Sequence, residues 1–352
     1  MASTYERILH HVSKAARQHA NIRLNQPITN IKSSPSKDHG RYCITLTTAT
    51  GETSQFDEVV VTCPLGWLKR NKSAFTPSLP PRLTQAIDSI SYGRLEKVYV
   101  TFPRAFWHTP SSRSATAVTN TNTDTDTDTN GYETNHGHPT FVQFFDPTYT
   151  PHPESIPWNQ EFLSLASLPP QQAHPTLLFY TYGPCATHIV SHLSTLTPSS
   201  QEYNTYLESI LHPFYSRLPG YDPTSTDCKP VAFVATQWQN DAYAGNGSYC
   251  NFQVGLEQGD KDIEVLRRGL GEERGVWFAG EHTAPFVALG TTTGAYWSGE
   301  RAAGQICDLY GLERNGMGVG RDDSLPSANG KGKRGVDGLV GSVVGCNGNR
   351  FG

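Results

Sequence analysis

Tyr5, Ile8, Leu9, Val12 and Ala16 recur at the three- and four-residue spacing of one helix face, which predicts an amphipathic helix over residues 4–19. Residues 22–31 read as extended chain, interrupted at Pro27. Residues 41–47 alternate, with Ile44 and Leu46 on one side, and a turn at 49–52 leads to Phe56 and the triplet Val59-Val60-Val61. An unbroken apolar triplet predicts a strand buried on both faces, the habit of α/β sheets. A helix is expected over 82–90. Residues 96–102 alternate again, with Val98, Val100 and Phe102 pointing one way and Lys97, Tyr99 and Thr101 the other. Further strands are expected at 141–145, 177–182, 231–238 and 276–279, and further helices at 201–215 and 294–310.

Two stretches break this pattern. Residues 109–139 contain TNTNTDTDTDTNG, polar and acidic, and predict a disordered insertion. From about Glu313 the chain is rich in Gly, Asn, Ser and Lys and predicts an unstructured tail over 313–352. The 36% of hydrophobic residues suffices for a substantial core, and 352 residues suggest roughly two domains. A net charge of -4 gives no basic footprint for nucleic acid. The seven cysteines are scattered, odd in number and without a CxxC pair, which speaks against a disulfide framework and a structural zinc site. His10-His11 and the pair His136 and His138 lack Cys or carboxylate partners at ligand spacing, so no metal is expected. The basic cluster 331–334 reads as solvated tail. With neither a signal peptide nor a transmembrane run, the expected location is intracellular, cytoplasmic by default, without membrane association. Oligomeric state is not legible.

The segment VWFAGEHTAPFVALGTTTGAYWSGERAA, residues 276–303, carries the most chemistry. It reads as a strand ending in Gly280-Glu281, a loop, and a helix opening after Thr291-Thr292-Thr293. Open α/β sheets place ligands at the carboxyl ends of strands, and a helix start presents unpaired N–H groups to an acceptor. Glu281 at that strand end can accept hydrogen bonds from ribose or ribityl hydroxyls. The plainer alternative is that the threonines cap the helix and Glu281 is a surface carboxylate.

This segment resembles the C-terminal flavin-binding signature of the flavin-containing amine oxidases, the family of monoamine oxidases, polyamine oxidases and lysine-specific histone demethylases. FDEVVVTCPLGWLKRNKSAFTPSLPPRLTQAIDSISYGRLEKVYVTFPRAFW, residues 56–107, resembles the family's crossover between cofactor and substrate domains. TQWQNDAYAGNGSYCNFQVG, residues 236–255, resembles its return segment. The resemblance implies FAD as cofactor and a small-molecule amine as substrate. It makes Glu281, after Gly280, the carboxylate at the FAD ribityl and pyrophosphate region. It sets Thr291 and Thr292 beside the flavin pyrimidine, Thr292 through its backbone N–H, and makes Lys97 the lysine that holds a water against flavin N5. Tyr249 matches an aromatic lining the amine site, and Trp238 and Tyr243 match aromatics near the flavin. Read from pattern alone, Lys97 is a solvated strand lysine and each aromatic belongs to the core.

The chain departs from the family in two places. Where several members put a second tyrosine opposite the first to hold an amine by cation–π attraction, this sequence has Gly290 or Thr291. That is closer to the histone demethylase and fungal polyamine-oxidase-like branches. The family's opening strand–GxGxxG–helix unit, which wraps the pyrophosphate, is absent. The glycines Gly269, Gly271 and Gly275, and Gly316, Gly318 and Gly320, have the wrong context and spacing for it. The expected fold is therefore α/β with an α+β substrate part. Residues 1–66 and 236–312 would form an incomplete Rossmann-like FAD-binding domain, interleaved with a substrate domain over 67–235. The expected activity is a truncated, weak or inactive FAD-dependent amine oxidase acting on a polyamine-like C–N bond. The alternative is a non-catalytic remnant that binds a partner.

Overall fold

The computed structural model describes residues 2–36, 41–108, 140–152, 158–312 and 342–344. The expected insertion at 109–139 lies outside the described residues, as does most of the tail from 313. Within that tail Ser342–Val344 departs from the expectation of no structure. Its two valines favour extended chain, and it pairs in parallel with Asn21–Arg23.

The chain divides into two compact units, residues 1–94 with 238–352 and residues 95–237. In the first, Ile28–Pro35 and Tyr42–Thr48 form an antiparallel hairpin flanked by Thr53–Phe56 and, in parallel, by Phe75–Thr76. Its inner residues Ile31, Ile44 and Leu46 are buried, as alternation requires. A parallel pair, Val59–Val61 with Val276–Phe278, lies beside it in the same core. The segment 67–94, expected with the substrate part, packs into this core through Leu68, Leu83, Ala86, Ile87 and Ile90. Pattern alone predicts Val59–Val61 buried on both faces, whereas loss of the GxGxxG unit predicts an uncovered apolar face there, and the structure shows the second. Val61 is buried but Val60 is 40% exposed, because its face has no covering layer among the described residues.

The second unit is an antiparallel sheet in the order Ala232–Ala235, Leu95–Thr101, Thr176–Tyr182, Gln160–Ser164, Phe141–Phe144. Val98, Val100, Phe162, Leu177 and Phe179 share a core with Ile189 and Leu193 of the helix Gly183–Leu193 and Leu207, Leu211 and Phe214 of the helix Gln201–Tyr215. Ser200 caps the second of these helices, its Oγ accepting from the Tyr203 N–H at 3.2 Å. Helices and sheets are thus mixed, with an α+β second unit.

In the first unit Asp262, 4% exposed at the start of the helix Gly259–Arg268, accepts from Arg82 Nη1 at 2.6 Å and Ser89 Oγ at 2.5 Å. These bonds clamp that helix to Pro81–Ser89. Replacing Asp262→Ala strands both donors, and because Arg82 is partly solvated the expected loss is about 2 kcal/mol. The check is the urea midpoint, with Asp262→Asn expected to fall between the two.

Candidate functional site

The strand Val276–Phe278 is fully buried and ends at Ala279-Gly280. Gly280 has φ 125°, a region that favours glycine, and a Cβ on it would lie 2.8 Å from the His282 ring. The chain therefore bends sharply there and turns Glu281 toward Cys250. Glu281 Oε1 accepts from the Cys250 N–H at 3.1 Å, and Oε2 accepts from its thiol at 2.8 Å. Burial pushes the Glu281 carboxyl above its ordinary pKa, opposed by the Cys250 thiol, the Cys250 N–H and the Gly290 N–H. The Cys250 thiol is pushed up too, by burial first and by the Glu281 charge second.

Gly290 (φ 72°) passes close to the same place. A Cβ there would meet the Tyr249 ring at 3.0 Å and the Cys250 carbonyl at 3.2 Å. The next residue, Thr291, caps the 19-residue helix Thr292–Tyr310, its Oγ1 accepting from the Gly294 N–H at 2.9 Å and donating to the Ala288 carbonyl at 2.7 Å. Thr291 thus has the structural role that pattern alone suggested. Thr292 follows as the first helical residue, where no preceding turn supplies an acceptor for its N–H.

The structure brings together Glu281, Gly280, Tyr249, Gly290 and Thr291. Trp238, Tyr243 and Tyr249 are 39%, 39% and 38% exposed, so none is a core residue. The Tyr243 and Ala244 N–H groups both donate to Asp241 Oδ1, which fixes the turn after Trp238. Lys97 belongs to the second unit. It lies on the sheet face opposite Val98, half-buried, with its ammonium 5.8 Å over the Tyr180 ring and its N–H donating to Thr236 Oγ1 at 2.8 Å.

Sequence reasoning missed Cys250, His282 and Arg301. Arg301 ties the helix to the strand, Nη2 donating to the Phe278 carbonyl at 2.7 Å and Thr283 Oγ1 at 3.0 Å, and Nη1 donating to the Arg267 carbonyl. The only signal for Cys250 was its place beside Tyr249, which puts it on the opposite side of an extended chain.

A family model described as flavin containing amine oxidoreductase matches residues 4–307. The chain belongs to this family. Protein FLOWERING LOCUS D of Arabidopsis thaliana is 27% identical over 262 residues, which are 74% of this chain and 26% of that protein. A Caenorhabditis elegans lysine-specific histone demethylase 1B homolog is 28% identical over 286 residues, 81% of this chain and 29% of its own length. A putrescine oxidase variant redesigned in cofactor binding superposes with TM-score 0.52 at 17% identity, covering 81% of this chain and 49% of its own. Cyclohexylamine oxidase from Brevibacterium oxydans gives 0.51 at 18%, covering 80% and 48%. At such identity these structures show a shared fold. The chain spans about a quarter of the length of the curated relatives and about half that of the solved structures.

FAD is the cofactor of this flavin-containing family. The residues around Glu281 fit its flavin and ribityl end. The positive-φ glycines at 280 and 290 let backbone approach closely, a partly buried carboxylate faces them, and a helix start and an exposed aromatic ring stand beside them. Among the described residues no strand–GxGxxG–helix unit supplies the pyrophosphate grip.

His282, next to Glu281, is 1% exposed and neither ring nitrogen has a hydrogen-bond partner. Burial first and the Arg301 charge second push its pKa down to about 4. The folded value lies below the unfolded value of about 6.5, so the neutral ring contributes its full stability above about pH 6.5. That contribution, at most about 3 kcal/mol, is lost as the pH falls toward 4. Thermal midpoints should therefore drop between these limits, and less steeply in His282→Phe, which has no proton to take up.

Proposed function

We propose that this chain forms the flavin- and amine-facing part of an FAD-dependent amine oxidase that oxidises a C–N bond of a polyamine-like amine. The observation that carries this reading is the grouping of Glu281, Gly290, Thr291 and the exposed Tyr249 ring at the end of a buried strand. When bound, FAD would supply the redox chemistry, a hydride from the carbon beside the amine being accepted and its electrons passed to dioxygen to give hydrogen peroxide. Glu281 would accept hydrogen bonds from its ribityl hydroxyls, and the Thr292 N–H at the helix start would serve its pyrimidine ring. The Tyr249 face attracts the amine cation, with Tyr243 beside the substrate and Trp238 beside the flavin. Lys97 keeps a water in place for the reaction.

The reading takes the FAD contacts and the amine-facing rings Tyr243 and Tyr249 from the first unit and Lys97 from the second. The names of the relatives and of the solved structures differ in substrate, from histone lysine to putrescine and cyclohexylamine, and share an amine carbon. An intracellular location belongs to the same proposal, supported by six free cysteines among the described residues. Among those residues no helix is long and apolar enough to cross a membrane. One observation favours a second reading, a non-catalytic remnant that binds a partner: among the described residues no strand–GxGxxG–helix unit is present, so these residues alone would hold the pyrophosphate weakly.

FAD titrated into the purified chain, followed by flavin fluorescence, should show saturable binding. Glu281→Gln should weaken it about ten-fold, the loss of one charge-assisted hydrogen bond. Lys97→Met should leave binding unchanged and lower peroxide formation with amine substrates. No saturation at any FAD concentration would favour the remnant.

A further inference from the structure

Cys250 stands out among the cysteines. It is 2% exposed, lies in the short strand Cys250–Asn251, and directs two donors at one carboxylate, its N–H at 3.1 Å and its thiol at 2.8 Å, one to each oxygen of Glu281. The strand opposite is Ser91–Tyr92, paired as Cys250↔Tyr92 and Asn251↔Ser91. Gripped at both oxygens by one residue, a carboxylate loses its freedom to rotate about its last torsion. The Gly290 N–H acts on the same carboxylate, and the lone pairs that these donors leave open point away from them.

We propose that Cys250 is the positioning residue of the cofactor cradle, holding both oxygens of Glu281 so that their remaining lone pairs face the hydroxyls of FAD. The role rests on the reading of Glu281 as a flavin-cradle residue. A thiol suits it because it donates weakly, which leaves the carboxylate basic enough to accept from a ligand. Burial also keeps this sulfur protonated and so out of thiolate chemistry.

Few other ionisable groups bear on the pair. Tyr92, on the facing strand, donates its hydroxyl to the Ala244 carbonyl at 2.7 Å, and burial together with the Glu281 charge keeps the phenol protonated. Arg70 and Asp241 act on that phenol, Arg70 while donating to the Gly66 and Gly245 carbonyls. His282 is neutral in its own pocket. A change in Glu281 titration on altering Cys250 therefore reports on this contact.

The test compares Cys250→Val, which fills the space and keeps the backbone N–H but removes the side-chain donor, with Cys250→Ser, which keeps both. The protonated-carboxyl infrared band of the FAD-free chain is followed against pH, and Glu281→Gln identifies it by its loss. The Cys250→Val midpoint should move up, since burial persists and a stabilising donor is gone, while Cys250→Ser should titrate with the parent. FAD affinity should fall about five-fold in Cys250→Val and stay within about two-fold in Cys250→Ser. An unmoved Cys250→Val midpoint, or equal displacement of both variants, overturns the proposal, because a packing role alone would give one of these. If no form binds FAD, the flavin reading falls and the positioning role falls with it, whatever the infrared arm shows about the pair itself.

Discussion

Glu58 ties three elements of the first unit to one another. Its carboxylate receives Trp277 Nε1 at 2.7 Å, the Tyr310 hydroxyl at 2.9 Å and Arg41 Nη2 at 3.1 Å. These donors come from the strand Val276–Phe278, the end of the helix Thr292–Tyr310 and the hairpin strand beginning at Tyr42. Glu58 itself immediately precedes Val59–Val61, which pairs in parallel with Val276–Phe278. Parallel pairing of segments so far apart in sequence needs such a fastening, because its hydrogen bonds appear only after a long loop has closed. Gly271 completes the join: a Cβ there would collide with the Trp277 ring at 2.1 Å, so only glycine lets the indole lie flat enough to reach Glu58.

The position of Glu281 follows from that fastening. Once Val276–Phe278 is fixed, Arg301 binds the Phe278 carbonyl and Ser298 Oγ accepts the Gly280 N–H at 2.7 Å, so the long helix sits against the strand end. The bend at Gly280 then leaves Glu281 one direction to point, toward Cys250. The return segment reaches this place by a second close approach, where the backbones of Gly66 and Gly245 touch and any side chain at either would clash. Glycines with little meaning by themselves in the sequence thus set the geometry of the cradle.

Much of this was legible, and the illegible parts have identifiable causes. Alternation located the strands carrying Ile44 and Leu46 and Val98 and Val100, and helical spacing located Gln201–Tyr215, because in each the buried positions are apolar. The strand Gln160–Ser164 escaped because two of its inward residues, Gln160 and Ser164, are polar yet 2% and 1% exposed, which hides the period. The helix Gly183–Leu193 opens with Gly-Pro, a turn signal that here marks its first turn. The exposure of Val60 follows from the missing covering layer, which a triplet of valines by itself does not report. At the site, the flavin-like motif pointed to Glu281, Thr291 and Tyr249. Cys250 and His282 looked ordinary, since what distinguishes them is a partner in one case and the lack of any in the other, and neither is written in local sequence.

Both units leave large apolar side chains exposed, Phe145, Val231 and Val234 in the second among them, and what sets the first apart is where they lie. The second closes its core with two helices over one sheet face. The first leaves Val60, Trp238, Tyr243, Tyr249, Phe286 and Val287 exposed, the last at 87%. Scattered exposure of this kind is ordinary on any surface, but here several of the residues adjoin the bend at Gly280 or the turn after Trp238. A flat aromatic cofactor needs apolar faces and few, well-held polar groups. The first unit has that combination where the buried strand ends, with Glu281 as the polar group and Cys250 holding it. That is a stronger argument for a flavin-facing surface than any one residue of the motif.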